Sequence, residues 1–468
     1  MKKILSLFLI IVLIASLFTG CFGKTASAFE EEMAQGLQNI YNELIAKLPD
    51  ASDVEKQKAY LIKWAGVRNI PVSYDKNNNI IMSKKGTAGY ENAPNTVLQC
   101  NIGVGDATTQ YEPIATALYL LENVEKHGFI RVLFTSSKDD KWTGAETISG
   151  NYLRSDNFIN LTSGEKTYLT LGSAGSSEYS FSKPLEWIAP TYPKAYEISI
   201  KNLNGGSSGI TSGLHPNPIK IIGDFLASAK SKGVLIELAS FNGGNSASNY
   251  PTDATAVILI NENDIPRFEK WFDNDVAKFE DKFGDVEENY TYTLTPTELP
   301  DKVISIEDST KVFGFLYTMI NGIYLKSDDG EIVATSNIGT IRTSVGKLDL
   351  TVCARSLNEE TLNEIGSTFE VICGLNEVSY SVSAQTPIWN EDEESPLYLN
   401  LIDIFSNDFD KNVKHNTTMQ NTDCAIFKTR NPNMDIVSMS INMGNGITEV
   451  EVLQKFLENL NTAPVVSN

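Results

Sequence analysis

A chain of 468 residues exceeds what one compact core holds and implies two or three domains. Hydrophobic residues at 41 % and charged residues at 21 % are ordinary globular values, which exclude a fibre or a disordered tail. The formal net charge of -21, from 59 acidic against 38 basic residues, excludes nucleic acid as a partner held through its phosphates, and only three histidines are present.

Lys2 and Lys3 precede an apolar run from Ile4 to Phe18. That run is shorter than the ~20 residues that cross a bilayer as a helix, and its basic flank marks an export signal. Leu17-Phe18-Thr19-Gly20-Cys21 resembles a bacterial lipobox. Residues 1–21 are therefore expected to be a lipoprotein signal peptide with Cys21 as the lipid attachment site, and residues 22–28 a tether. Acyl chains on Cys21 would anchor the protein to the cell membrane outside the cytoplasm.

Leu37, Ile40, Tyr41, Leu44 and Leu48 recur at helical spacing and predict an amphipathic helix over 29–48. A second helix is expected from about Val54 to Val67, with Ser52 as its N-cap and Glu55 completing a capping box. Strands are expected near Val72 to Tyr74, Ile80 to Ser83 after the Asn77-Asn78-Asn79 turn, Thr96 to Cys100, and Ile130 to Ser136. A helix from Tyr111 to Lys126 separates the last two, so this part reads as an α/β layer.

From Ala195 the order changes to a strand (Tyr196 to Ile200), a helix (Pro218 to Lys232), two strands (Leu235 to Phe241, Ala254 to Ile260) and a helix (Asp264 to Phe283). That β-α-β-β-α order suits helices on one side of an antiparallel sheet, and a related set recurs between Ser309 and Val378. Beyond Pro387 a helix (Pro396 to Phe409), a short strand near Ala425, a strand (Ile436 to Ser440) and a helix (Glu449 to Leu460) would complete the first layer.

Cys100, Cys353, Cys373 and Cys424 show no C-x-x-C spacing, so they build neither a zinc ribbon nor a redox motif. Apolar surroundings make each a buried thiol, with a Cys353–Cys373 bridge as the alternative. The sequons at Asn160, Asn289 and Asn416 read as incidental.

Several segments resemble the bacterial aminoacyl-histidine (Xaa-His) dipeptidases, two-zinc exopeptidases of the group that includes carnosinases. They are Lys84-Lys85-Gly86-Thr87-Ala88-Gly89-Tyr90-Glu91-Asn92 with Val97-Leu98-Gln99, Gly144-Ala145 with Gly150-Asn151-Tyr152-Leu153, Phe158-Ile159-Asn160, and Leu203-Asn204-Gly205-Gly206. Phe241-Asn242-Gly243-Gly244, Asn321-Gly322-Ile323, Ala425-Ile426-Phe427-Lys428 and Pro432-Asn433-Met434-Asp435-Ile436-Val437-Ser438 follow in order. The resemblance implies an α/β fold in which a zinc-exopeptidase-like α/β/α domain (29–180 and 386–468) receives an inserted α+β lid or dimerisation-type domain (181–385). A homodimer through that inserted domain is a further implication.

The same resemblance implies a pair of zinc ions held by His, Asp and Glu, with a glutamate as base for the bridging water. Position by position these are missing. The H-x-D motif falls on Asn101-Ile102-Gly103, and the bridging aspartate has no counterpart other than Asp106. The Glu-Glu pair falls on Lys138-Asp139, a further acidic ligand on Thr162, and a ligand glutamate on Asp423, which alone keeps its chemistry. The closing histidine has no equivalent in Met443-Gly444-Asn445-Gly446. In the inserted domain the substrate-binding histidine is Ser207, and an Arg-Asn pair is Ala247-Ser248.

An ammonium at position 138 would oppose a divalent ion by ~8 kcal/mol at ~4 Å and an effective dielectric of about 20. A structural zinc site with all its ligands is worth roughly 10 to 16 kcal/mol. With the ligands gone as well, no zinc is expected, and no catalytic or metal residue is assigned. Lys138 would fill the vacated space beside Asp139, Asp140 or Asp423.

The histidines have plain explanations: His127 caps a helix end before Gly128, and His215 and His415 are solvated in polar loops. Gly205-Gly206-Ser207-Ser208-Gly209 satisfies the G-x-S-x-G pattern of serine hydrolases, but glycine and prolines follow where the helix must start. It reads as a turn.

The expectation is thus a catalytically inactive, lipid-anchored relative of the Xaa-His dipeptidases that binds a peptide or protein partner in an interdomain cleft. The alternatives are a metal-dependent dipeptidase with a site rebuilt on Asp139, Asp423 and Asp106, and a peptide-binding lipoprotein serving a transporter.

Overall fold

The computed structural model describes residues 24–103, 107–136, 142–210 and 215–459; the expected signal segment, Cys21, Asp106, Lys138, Asp139 and Asp140 lie outside them. The helices are α1 (Lys24–Lys47), α2 (Val54–Val67), α3 (Ala107–Asn123), α4 (Thr143–Thr147), α5 (Pro218–Ser231), α6 (Ile265–Phe283), α7 (Ile306–Thr318), α8 (Glu359–Asn376), α9 (Pro396–Phe409), α10 (Asp423–Arg430) and α11 (Thr448–Asn459). The strands are β1 (Val72–Tyr74), β2 (Ile80–Lys84), β3 (Thr96–Ile102), β4 (Ile130–Ser136), β5 (Asn157–Ser163), β6 (Leu169–Ser173), β7 (Gly175–Pro184), β8 (Trp187–Ile188), β9 (Lys194–Lys201), β10 (Gly206–Ser207) and β11 (Ile236–Gly244). They continue with β12 (Asn249–Tyr250), β13 (Ala254–Ile260), β14 (Thr291–Thr297), β15 (Val303–Ile304), β16 (Gly322–Lys326), β17 (Ile332–Ser344), β18 (Lys347–Ser356), β19 (Ser379–Thr386), β20 (Trp389–Asn390), β21 (His415–Thr418) and β22 (Asp435–Ile441).

Contacts divide the chain into two units: residues up to 171 with 391–416 and 426–468, and residues 172–390 with 417–425. In the first, the sheet runs β1-β2-β4-β3-β5-β22-β6. Strands β4, β3, β5 and β22 are mutually parallel. Such strands are covered on both faces and read as apolar runs: Val97, Leu98, Cys100 and Ile102 are all buried. The apolar stripe of α1 places Leu37 and Leu44 in the same core. Gly36 permits its close approach, since a Cβ there would lie 2.9 Å from the Tyr119 ring.

Local chemistry moves several boundaries. Asp53 rather than Ser52 caps α2, its carboxylate accepting from the Lys56 amide, while Ser52 turns back to Asp50. A carboxylate is the stronger acceptor for exposed helix donors. Helix α3 stops at Asn123 because Lys84 Nζ and Thr87 Oγ1 each donate at 2.7 Å to the carbonyls of Val124 and Glu125. His127 is therefore not a cap. It is buried with Nδ1 2.6 Å from the Gly128 carbonyl oxygen, and burial pulls its pKa down.

The strand expected near Ala425 is helix α10. The consecutive buried residues Cys424, Ala425, Ile426 and Phe427 carry no period that separates strand from helix. His415 is exposed but lies on strand β21 rather than in a loop, pairing with Tyr398 and Glu393, whereas His215 is half-buried and stacked on Tyr250 at 4.4 Å and is not simply solvated.

In the second unit the sheet runs β14-β9-β13-β11-β17-β18-β7-β19, with β16 pairing β17 and every pairing antiparallel. Its halves repeat one topology. The segment β9-α5-β11-β13-α6-β14 places its strands in the order fourth, first, third, second. Strand β7 followed by α7, β17, β18, α8 and β19 repeats that order from the opposite edge. The recurrence expected after Ser309 is this second copy, whose first strand precedes the whole first copy.

The halves join at Gly243↔Ile341 and Gly244↔Thr340. Gly244 is required there: its φ is +69°, and a Cβ would meet the Gly339 oxygen at 1.9 Å. The Arg342 guanidinium ties the seam by donating to the carbonyls of Gly243 and Gly244. Aromatic edge-to-face contacts such as Phe181–Phe369 at 5.4 Å fill this unit's core. Cys353 and Cys373 are separate buried thiols.

Candidate functional site

Parallel strands send their carboxyl ends to one side of a sheet, and ligands of open α/β sheets bind there. In the first unit this end gathers Asn101 from β3 and Gly103 just after it, Thr135 from β4, Thr162 from β5 and Ser440 from β22. The register pairs Asn101 with Thr135, Gln99 with Asn160, Asn160 with Ser438, and Thr162 with Ser440.

What occupies these rows is a continuous neutral network. Ser438 Oγ donates to Asn160 Oδ1 at 2.5 Å, Asn160 Nδ2 donates to Gln99 Oε1, and Gln99 Nε2 donates to Thr135 Oγ1 at 2.8 Å. Thr135 Oγ1 donates in turn to Asn101 Oδ1 at 3.0 Å, which also accepts from Gln99 Nε2 at 3.2 Å. Gln99, Thr135, Asn160 and Ser438 are buried. The Asn101 oxygen, standing where the resemblance places an imidazole, is already committed to two donors.

Gly103, directly after β3, lies in the left-handed region at φ +84°, where a Cβ would lie 2.4 Å from Val54 Cγ2. Its amide donates at 3.1 Å to Gln57 Oε1, and Gln57 Nε2 donates to the Ala51 carbonyl and to Gln110 Oε1. This turn is shaped for a residue without a side chain, so the position cannot present an aspartate. Thr162 is half-buried on β5. Zinc takes thiolate, imidazole or carboxylate; the amides and hydroxyls at this strand end do not fit a zinc pair. Among the described residues, no group of three or more His, Cys, Asp or Glu could hold a metal ion.

The remaining candidates fall in the second unit. Ser207 lies on the two-residue strand β10, paired with Asn249, and its Oγ accepts from the Gly209 amide at 3.3 Å, so it occupies no strand-to-helix elbow. Asp423 is buried at the start of α10. The preceding residues are tied to β7 and β6: Asn421 Nδ2 donates to Ser176 Oγ at 2.7 Å, and Thr422 Oγ1 to Ser173 Oγ at 2.9 Å.

The residue that sequence reasoning missed is Arg355. It is buried, its guanidinium donates to Asn421 Oδ1 and, at 3.5 Å, to Ser208 Oγ, and among the described residues it pairs with no carboxylate. Beside it Tyr250, whose pKa burial raises, donates to the Ile210 carbonyl at 3.3 Å and stacks on His215. A buried cation held by neutral oxygens alone retains an unmet demand for an anion. Only the fold brings Arg355 on β18 together with residues 208 and 421, so no local signal could have found it.

No family model matches the sequence. The chain is 26 % identical over 435 residues to the cytosol non-specific dipeptidase of Escherichia coli (strain K12), covering 84 % of this chain and 89 % of that protein. Its fold matches the aminoacylhistidine dipeptidase from Vibrio alginolyticus with a TM-score of 0.73 at 21 % identity, over 92 % of this chain and 96 % of that one. A tripeptidase from Staphylococcus aureus matches at 0.52 and 12 % identity, over 92 % and 99 %. Human carnosine dipeptidase 1 matches at 0.50 and 9 % identity, over 93 % and 98 %. The chain is therefore a homologue of the cytosol non-specific dipeptidase, with the mixed α/β fold of the dipeptidases.

Proposed function

We propose that this chain is a catalytically silent, dipeptidase-like protein that binds peptides through a terminal carboxylate, which Arg355 receives. The observation that carries this reading is the contrast between two places. The strand-end network around Asn101 is neutral and internally satisfied, whereas the buried Arg355 guanidinium has no counter-charge among the described residues. A carboxylate matches the planar fork of a guanidinium through two parallel hydrogen bonds. Lys138 supplies a cation where the relatives of the resemblance need an anion, and Cys21 supplies a lipid anchor on the extracytoplasmic side of the cell membrane.

A second reading, a metal-dependent dipeptidase, is favoured by the homology that spans most of both chains. Metal quantification on protein purified without chelator, followed by thermal shift with free and C-terminally amidated dipeptides, separates the two. The binding reading expects no stoichiometric metal, stabilisation by free peptides and none by amides. One or more equivalents of zinc with peptide cleavage would overturn it.

A further inference from the structure

The duplicated sheet of the second unit ends on β14 and β19, the equivalent strands of its two halves, and these edges differ in chemistry. Strand β14 carries Pro296, which has no N–H to offer a neighbour, and is followed by Glu298 and Pro300. Proline and charge are how sheets protect an exposed edge. Strand β19, Ser-Tyr-Ser-Val-Ser-Ala-Gln-Thr, has neither proline nor charge. Its residues 379–385 are all exposed, and among the described residues it pairs with β7 alone, a one-residue bulge at Ser383 interrupting but not charging it.

The side chains beside this edge continue an internal aromatic shelf. Tyr380 lies 6.1 Å from Phe181 and 6.5 Å from Tyr179, ring centre to ring centre, yet is 37 % exposed, and Val382 is 47 % exposed. The core thus runs out to an open margin with unpaired backbone groups alongside it. Helix α8, which packs against β19, carries Glu359, Glu360, Glu364 and Glu370 and no basic residue, so the margin is acidic, as is the whole chain at -21.

We infer that β19 is a strand-addition site for an extended, non-acidic polypeptide segment with apolar side chains at alternate positions, docking antiparallel to Ser379–Thr386. Backbone N–H and C=O groups on a free edge select an extended main chain, while Tyr380 and Val382 select apolar side chains on one face. Antiparallel addition continues the pattern of the sheet, and the acidic margin disfavours Asp and Glu in the guest. The inference concerns a surface that neither zinc binding nor peptide hydrolysis would create, so it stands whichever functional reading holds.

The test uses the full-length chain and the acetylated, amidated peptide Lys-Thr-Val-Thr-Val-Thr-Val-Lys. Two twins accompany it, one with glutamate at both ends and one N-methylated at alternate residues. Amide hydrogen exchange is expected to slow at least about tenfold across residues 379–386 with the first peptide, less with the acidic twin, and not at all with the methylated twin or across 291–297. Val382→Lys is expected to abolish the protection; if that variant does not fold by circular dichroism, Ser381→Lys on the same strand serves instead. Equal protection of 291–297, protection by the methylated peptide, or protection insensitive to the lysine would overturn the assignment. Protection of 379–386 that grows with protein concentration in the absence of peptide would overturn it in favour of a second copy of this chain.

Discussion

Val54 Cγ2 occupies the space that a side chain at position 103 would need: a Cβ on Gly103 would lie 2.4 Å from it, and the backbone there is left-handed. Gly103→Asp is therefore expected to destabilise the protein by about 2 to 4 kcal/mol, through a strained φ and an overpacked contact. Pairing it with Val54→Ala should recover the contact part alone. Urea denaturation of the single and double variants measures this, and a neutral Gly103→Asp would show that the turn is plastic.

The neutral network predicts coupled losses. Gln99→Leu strands the Asn160 amide donor and removes one of the two donors to Asn101, and Asn160→Leu strands the Ser438 hydroxyl. Each should cost about 1 to 3 kcal/mol, with the double variant costing clearly less than the sum. Asn101→His, restoring the imidazole of the resemblance, is expected to lose stability without gaining zinc, because Thr135 and Gln99 lose their acceptor. Metal content after dialysis checks the second half.

Asp275 gives a pH signature. Burial raises its pKa, with Tyr292 donating at 2.9 Å and pulling it back. A carboxyl with a raised folded pKa contributes stability that is complete below its unfolded pKa near 4 and is lost as pH climbs through the folded value. Asp275→Asn keeps an acceptor for Tyr292 and removes the titration. Its stability relative to the unmodified chain should rise between pH 4 and 7, and a flat difference curve from chemical denaturation would contradict this.

Arg355→Met separates binding from folding. Removing a buried cation that has no carboxylate partner among the described residues should leave the melting temperature unchanged or raise stability by about 1 kcal/mol, because the desolvation cost goes with the charge. The same change should abolish stabilisation by free dipeptides. Arg355→Lys, which keeps the charge but loses the planar fork, should restore only part of it. A strongly destabilised Arg355→Met protein with intact peptide response would assign the residue a structural role.

The α/β layer and the β-α-β-β-α order were legible because apolar periodicity and turn residues report local geometry directly. The consecutive apolar residues around Ala425 defeated that logic: α10 is a helix because packing chose between two conformations that its pattern permits. Ser52 and Asp53 are both plausible caps, and only the chain path showed which faces the open amides.

By itself the sequence determined which donors exist: no histidine or acid at 101 or 103, and a lysine at 138. The tertiary structure decided what the survivors do. It joined Gln99, Thr135, Asn160 and Ser438 across four strands and pressed Val54 against Gly103. It also buried Arg355 against Ser208, 147 residues away in sequence. Composition is a property of positions taken singly, whereas hydrogen-bond satisfaction and steric exclusion belong to pairs that only folding brings into contact.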